Sequence, residues 1–289
     1  MPVRIILFLT FMLLFVPFCL AQTATCTNWK FFNTVLPSGI NDRGVVVGSI
    51  QQDNNVTAGV VRRANGSTRT FIDPNAAPPT DWTLLTRRNT LGLTVGWYRD
   101  ANQYAHGLLL SGSRMATFDY PGAVETILYG INSQDSIVGI WGLGDFSQPY
   151  DGFRMRKNGS PTTIHYPGAM MTNPMSVSDT SIVVGWYVED GAQAPFPYHG
   201  FVLAKGVYST LDYPNADRTL LNDINRSGVI AGTHITTGSN YTQGGFIYVN
   251  GTFKEVTAPD TQVLTVDGIN NYNDVTGTSS VGSFTAHCQ

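Results

Sequence analysis

A phrase built on Ile-Asn, a short turn and then Val-Val-Gly recurs six times along the chain and restricts its fold more than any other feature. It starts at Ile40-Asn41, reads as degenerate at Thr86-Arg87, and returns at Ile131-Asn132, Val177-Ser178, Ile224-Asn225 and Ile269-Asn270. Units therefore begin near residues 40, 86, 131, 177, 224 and 269, at intervals of 45 to 47 residues. So constant a period in glycine-rich, alternating sequence marks an array of one repeated β unit.

The third unit shows what that β unit contains. Glu125–Ile131 is rich in β-formers and leads into the turn Asn132-Ser133-Gln134-Asp135. Ile137–Trp141 reads as a second strand and Gly152–Arg156, with period-two alternation, as a third. Lys157-Asn158-Gly159-Ser160 is a hairpin signal, and Thr162–Tyr166 is the fourth strand before Pro167-Gly168. Four short strands in roughly 40 to 50 residues describe a propeller blade. The expectation is an all-β chain folded as a six-bladed β-propeller, one domain over residues 22–289.

Residues 1–21 read as a secretory signal peptide. Arg4 supplies the positive start, Ile5 to Phe18 the apolar run, and Cys19-Leu20-Ala21 small residues before Gln22. The run is shorter than the roughly 20 apolar residues of a bilayer span, and no second such stretch follows. Charged residues are 13% of the chain and the formal net charge is −3, so no basic face is available for nucleic acid. A secreted, extracellular (or periplasmic or cell-surface) monomer is expected.

With the signal removed, Cys26 and Cys288 remain at opposite ends of the chain. In an oxidising compartment two such thiols pair, provided that the termini meet, as they do in a closed ring. The sixth unit offers only Val263–Ile269, Asp274–Thr278 and Ser283–His287. Asn28–Phe32 is placed to supply its missing strand, which sets the two cysteines side by side. Asn33–Leu36 also resembles the first strand of a unit, so the N-terminal stretch serves either both blades or the first alone.

Most recurring residues have structural explanations. The turn Asn caps through its side chain while Gly44 takes the left-handed position. The prolines at 74, 121, 167, 214 and 259 are read as ending fourth strands. Trp97, Trp141 and Trp186 are read as one recurring position packed between blades. No unit has the acidic density of a calcium loop, so no metal is expected, and nothing calls for a cofactor.

His199-Gly200-Phe201-Val202-Leu203, Leu211-Asp212-Tyr213-Pro214 and Ile224-Asn225-Arg226-Ser227-Gly228-Val229-Ile230-Ala231-Gly232 carry a further signal. They resemble the bacterial extracellular repeats named the HAF family, which pair a His-Ala-Phe phrase with Ile-Asn-x-x-Gly-x-Val-Val-Gly. The likeness covers nearly all of the mature chain. It departs where Gly replaces Ala, as at His106-Gly107-Leu108, and where the His becomes Asp151 or Gly244. It implies a secreted repeat protein and assigns no catalytic residue.

For function, the loop between second and third strands varies most and is rich in aromatics. Tyr104, Phe146, Tyr150, Phe196, Tyr198 and Tyr241 are the candidate ligand-binding residues, on the expectation that they rim one face and contact an extracellular glycan or protein. The leading expectation is a non-catalytic binding or adhesion module. An alternative is a carbohydrate-active enzyme, a glycoside hydrolase or lyase, using Asp145, Glu189 and His234 as acid and base. A third is a structural surface protein. His106 and His199 share a repeat position and read as structural, whereas His165 and His234 break the repeat. No nucleophile elbow, zinc-protease or phosphate-loop motif is present.

Overall fold

The structure, a computed structural model, describes residues 21–52, 55–78, 82–144, 149–238 and 241–289. Six antiparallel sheets of four strands are arranged as a β-propeller, with a fifth, parallel strand added to one of them. In each sheet the first strand of the unit is innermost: Leu36–Ile40, Thr83–Arg88, Glu125–Ile131, Ala169–Val177, Arg218–Ile224 and Val263–Ile269. These run from what we call the loop face to the turn face, where the Asn turns lie. No helix long and apolar enough to cross a membrane is present among the described residues.

Two glycine-dependent contacts explain much of the repeat. A Cβ on the Gly of Val-Val-Gly would overlap a carbonyl oxygen of the innermost strand: Leu36 for Gly48, Ile127 for Gly139, Asn173 for Gly185. That position needs Gly because the two backbones approach so closely. One strand outward, Val60, Leu108, Phe153, Phe201, Phe246 and Phe284 are fully buried at one shared position. Burying each such side chain contributes about 1.5–3 kcal/mol.

The turn Asn acts between blades as well as within its own turn. Asn41 Oδ1 accepts the backbone N–H groups of Arg43 and Val45, and the pattern repeats at Asn132, Asn225 and Asn270. Its Nδ2 then donates to the main-chain carbonyl of the next turn. Asn41 reaches Asn89, Asn89 reaches Asn132, Asn132 reaches Ser178, Asn225 reaches Asn270, and Asn270 returns to Asn41, at 2.9–3.2 Å. The turn face is thereby ringed by hydrogen bonds, interrupted where Ser178 replaces Asn.

Three sequence readings are corrected. The second unit is registered on Arg88-Asn89, not Thr86-Arg87: Arg88 pairs with Thr94 as Ile40 pairs with Val46. The prolines do not end strands. Pro121, Pro167 and Pro214 follow the fourth strands, at the second position of turns closed by Ala123, Ala169 and Ala216 N–H on Tyr120, Tyr166 and Tyr213. Pro is favoured there because its φ is preset. Finally, Trp141 is one residue out of step with Trp97 and Trp186. It pairs with Asp151 whereas they pair with Gly107 and Gly200, so its ring faces the other side of the sheet.

That offset places Trp141 in a different repeating device. The Tyr preceding each turn proline stacks on a ring from the next blade: Tyr120 on Trp141 at 4.4 Å, Tyr166 on Tyr187 at 3.7 Å, Tyr213 on His234 at 3.9 Å. Such pairs contribute about 0.5–1.5 kcal/mol each beyond area burial.

At the seam the N-terminal stretch serves both blades. Cys26–Phe32 is the outermost strand of the sixth sheet and Leu36–Ile40 the innermost of the first, with three residues between. Cys26 pairs with Cys288, their Cα atoms 4.1 Å apart, and a disulfide closes the ring. A link across 262 residues contributes on the order of 5 kcal/mol in the chain-entropy account. Just before it, Gln22–Thr23 adds a short parallel strand to the edge of the fifth sheet.

Candidate functional site

Every innermost strand carries a bulge at the same height. The bulged residues are Ser38, Thr86, Tyr129, Met175, Asn222 and Asp267. A bulge leaves one residue out of the ladder and re-aims its side chain. Here it aims one residue from each blade into the axial channel, and together these six line a cavity of about 270 Å³. Leu84 and Trp97 complete its wall towards the loop face, and Arg87 is its base.

Arg87 partitions the channel. It borders this cavity and also the smaller hollow of about 70 Å³ inside the Asn ring on the turn face. The guanidinium donates to the carbonyls of Ser38, Asn222 and Asp267, which belong to three different blades, and lies 3.4 Å from the Asp223 carboxylate. Gly39 and Gly268 make room for it; a Cβ at Gly39 would overlap the guanidinium. Asp223 accepts from Ser176 Oγ and from the N–H groups of Ile224 and Ile269. Burial pushes the Asp223 carboxyl up, opposed by Arg87 and these hydrogen bonds.

Above the partition the chemistry is mixed. Withdrawal from bulk water raises the Asp267 carboxyl to about 7, against the pull of the Thr265 hydroxyl and Arg87. Asp267 Oδ2 accepts from Thr265 Oγ1 at 2.8 Å. Asn222 spends its Nδ2 on Thr233 Oγ1 and the Val266 carbonyl, which leaves its amide oxygen for a ligand. Burial also raises the Tyr129 phenol, to about 12, so it stays a neutral donor. The wall opposite these groups is apolar: Trp97, Leu84, Met175 and the Tyr129 ring.

The residues singled out from sequence lie elsewhere. Tyr150 is buried, and Phe196 and Tyr198 fold onto the same cluster between the third and fourth blades, behind Trp97 and Tyr129. Tyr198 is sandwiched between Trp186 at 4.6 Å and the Arg218 guanidinium at 4.7 Å. These three pack behind the cavity's aromatic wall, Tyr150 buried and Phe196 and Tyr198 half-buried. Tyr104 and Tyr241 are exposed, the latter with its hydroxyl on Gln243. Asp145 and Phe146 lie outside the described residues. Glu189 is exposed at the end of its strand in the fourth blade, and His234 pairs with Glu255 at 3.0 Å within the fifth blade; no hydrogen bond or ion pair joins Glu189 to His234.

The five histidines, all described, each face a carboxylate. His106–Asp119 and His199–Asp212 are equivalent pairs at 2.9 and 2.8 Å. In the third blade the same pair is reversed, with Asp151 in the His position and His165 in the Asp position, 2.6 Å apart. In the fifth blade Gly244 replaces the His, and a Cβ there would collide with His234 and Glu255, which fill the space. The departures from the repeated His phrase are therefore compensated substitutions. The channel residues occupy the least constant position of the repeat, two residues before the Ile-Asn phrase, where no single residue type marks them in the sequence.

No protein-family model matches the chain, and no curated protein matches it in sequence. Its fold is similar to that of solved propellers. A gluconolactonase from Xanthomonas campestris is 10% identical over 93% of this chain and 98% of that one, with a TM-score of 0.51. AofleA from Arthrobotrys oligospora is 11% identical over 92% and 87%, with a TM-score of 0.53. At such identities the likeness extends to architecture alone, that of a β-propeller.

Proposed function

We propose that this chain is a secreted, non-catalytic binding module that takes a neutral sugar unit of an extracellular glycan into the loop-face end of its channel. The observation that carries this reading is the cavity to which every blade contributes one bulged residue. Its volume of about 270 Å³ suits one sugar ring. An aromatic and aliphatic wall suits the apolar face of a pyranose, and the Asp267 carboxyl and Asn222 amide oxygen suit its hydroxyls. Asp267 disfavours an anion, while Arg87 at the base disfavours a cation. The signal-like first 21 residues, the terminal disulfide and the resemblance to the HAF repeats support an extracytoplasmic setting.

Glycan-array screening followed by calorimetry tests the proposal. A neutral glycan should bind, and Trp97→Leu and Asp267→Asn should each weaken it about tenfold or more. Absence of glycan binding, or binding indifferent to both substitutions, overturns it. One observation favours the enzymatic alternative: a carboxyl raised to about 7 is matched to acid–base work at neutral pH. That reading requires reducing-end or unsaturated-product release from a polysaccharide, lost in Asp267→Asn.

A further inference from the structure

The seam that closes the ring carries a second groove, on the turn face and separate from the channel cavity. It lies between the sixth and first blades, has a volume of about 370 Å³, and exists because the N-terminal strand is laid against the sixth blade. That strand is bulged between Thr27 and Lys30, with Asn28 at a φ of 57°. Asn28 and Trp29 are thereby released from the ladder, and Trp29 lines the groove. Its indole is fixed from three sides. The N–H donates to the Cys26 carbonyl at 3.3 Å, the ring stacks with Phe31 at 5.9 Å and 9°, and it packs on Phe284 at 5.0 Å.

Two cations border this platform. Lys30 follows Trp29 on the same strand, and Arg62 comes from the first blade, its guanidinium 4.2 Å from the centre of the Phe32 ring. Among the described residues neither makes an ion pair or a side-chain hydrogen bond. The other charged pair in the groove, His287 and Asp274, is satisfied internally at 3.1 Å. A held guanidinium and an ammonium without carboxylate partners, beside a fixed indole, form a recognition set for a flat apolar face that carries negative charge. The channel cavity, by contrast, pairs its arginine with Asp223.

We propose that the seam groove binds an acidic saccharide, with a sugar ring on Trp29 and its carboxylate or sulfate between Lys30 and Arg62. The site is independent of the channel reading, since it shares no residue with it. A chain with net charge −3 gains little general attraction for polyanions, so binding here rests on these two side chains.

Calorimetry with trigalacturonate, its methyl ester and a sulfated heparin disaccharide tests this on the intact, disulfide-closed chain. At least one of the two anionic probes should bind, and the methyl ester should bind about tenfold more weakly than trigalacturonate or not at all. Lys30→Gln combined with Arg62→Gln, the first exposed and the second half-buried, should lower anionic affinity about tenfold or more. Asp267→Asn in the channel should leave it unchanged. The proposal fails if neither anion binds, if ester and acid bind alike, or if the double substitution has no effect. It also fails if Asp267→Asn abolishes anion binding, which would place the ligand in the channel.

Discussion

Arg87 of the second blade and Asp223 of the fifth meet on the propeller axis, guanidinium nitrogen to carboxylate oxygen at 3.4 Å. Both are buried, and three blade carbonyls accept from the same guanidinium, so one cation ties four blades together at the hub. Removing one partner of such a pair leaves an uncompensated buried charge, which costs about 3–5 kcal/mol. Arg87→Met is therefore expected to lose that much in urea unfolding at pH 7. Burial already raises the Asp223 carboxyl, so without Arg87 the loss should shrink as pH falls and the carboxyl protonates. Adding Asp223→Leu should recover part of the loss; a double variant no better than Arg87→Met would show that the pair is not the hub.

The ring of turn asparagines lacks one link. Ser178 accepts the Ile182 N–H through Oγ, as Asn41 accepts that of Val45, but it has no amide to reach the Asn225 carbonyl. Ser178→Asn should supply that donor and complete the circuit from the fourth to the fifth blade. A net gain of about 0.5–1.5 kcal/mol is expected from one hydrogen bond. Thermal and urea unfolding of the single variant measure it. No gain would mean that the two turns cannot approach as their neighbours do.

The reversed pair in the third blade makes a sharper test. Asp151→His alone sets His against His165, and His165→Asp alone sets two carboxylates together. The double variant recreates the order found at His106–Asp119. Each single change should destabilise and the double should return close to the parent, with a coupling of about 0.2–1 kcal/mol for a pair this exposed. Additive effects in the cycle would show that the two side chains do not sense each other.

How much of this was legible in the sequence follows from where selection for packing acts. The Asn turns, the Val-Val-Gly strands and the terminal cysteines repeat because every blade needs the same close approach and the same closure, so period and topology could be read directly. The interior of the channel repeats in backbone only. Ser38, Thr86, Tyr129, Met175, Asn222 and Asp267 share a bulge and nothing else, and a bulge leaves no signature in a single sequence. Of the loop aromatics, Tyr104 and Tyr241 are exposed, as a surface role requires, whereas others fold inward. Tyr150 and Tyr198 are polar-tipped rings in variable segments, which suits a surface, yet Tyr150 is buried and Tyr198 is held between Trp186 and Arg218. Composition cannot separate a ring that faces solvent from one folded back on its own blade. The degenerate second unit had its own cause: Arg87 occupies the Gly position because this blade supplies the axial cation, and Arg88, in the Ile position, donates to Thr94 Oγ1.

Asp267 links stability to pH in a direction that can be worked out. Its carboxyl is raised to about 7 in the folded chain, from an ordinary value near 3.8. Below that ordinary value the group is protonated whether the chain is folded or not, and it contributes no difference. As pH rises from about 4 to 7 the unfolded chain gives up the proton while the folded chain keeps it, so the native state is progressively disfavoured; above 7 the penalty is constant. Asp267→Asn carries no titrating group and retains a hydrogen-bonding side chain beside Thr265. Its stability relative to the parent should therefore rise across pH 4 to 7 and level off beyond. Urea midpoints taken in one series of buffers at constant ionic strength give the curve. A relative stability that is flat, or that falls with rising pH, would mean that the carboxyl is ionised at its usual pH inside the channel, and that the cavity is wetter and less suited to a sugar's apolar face than its lining indicates.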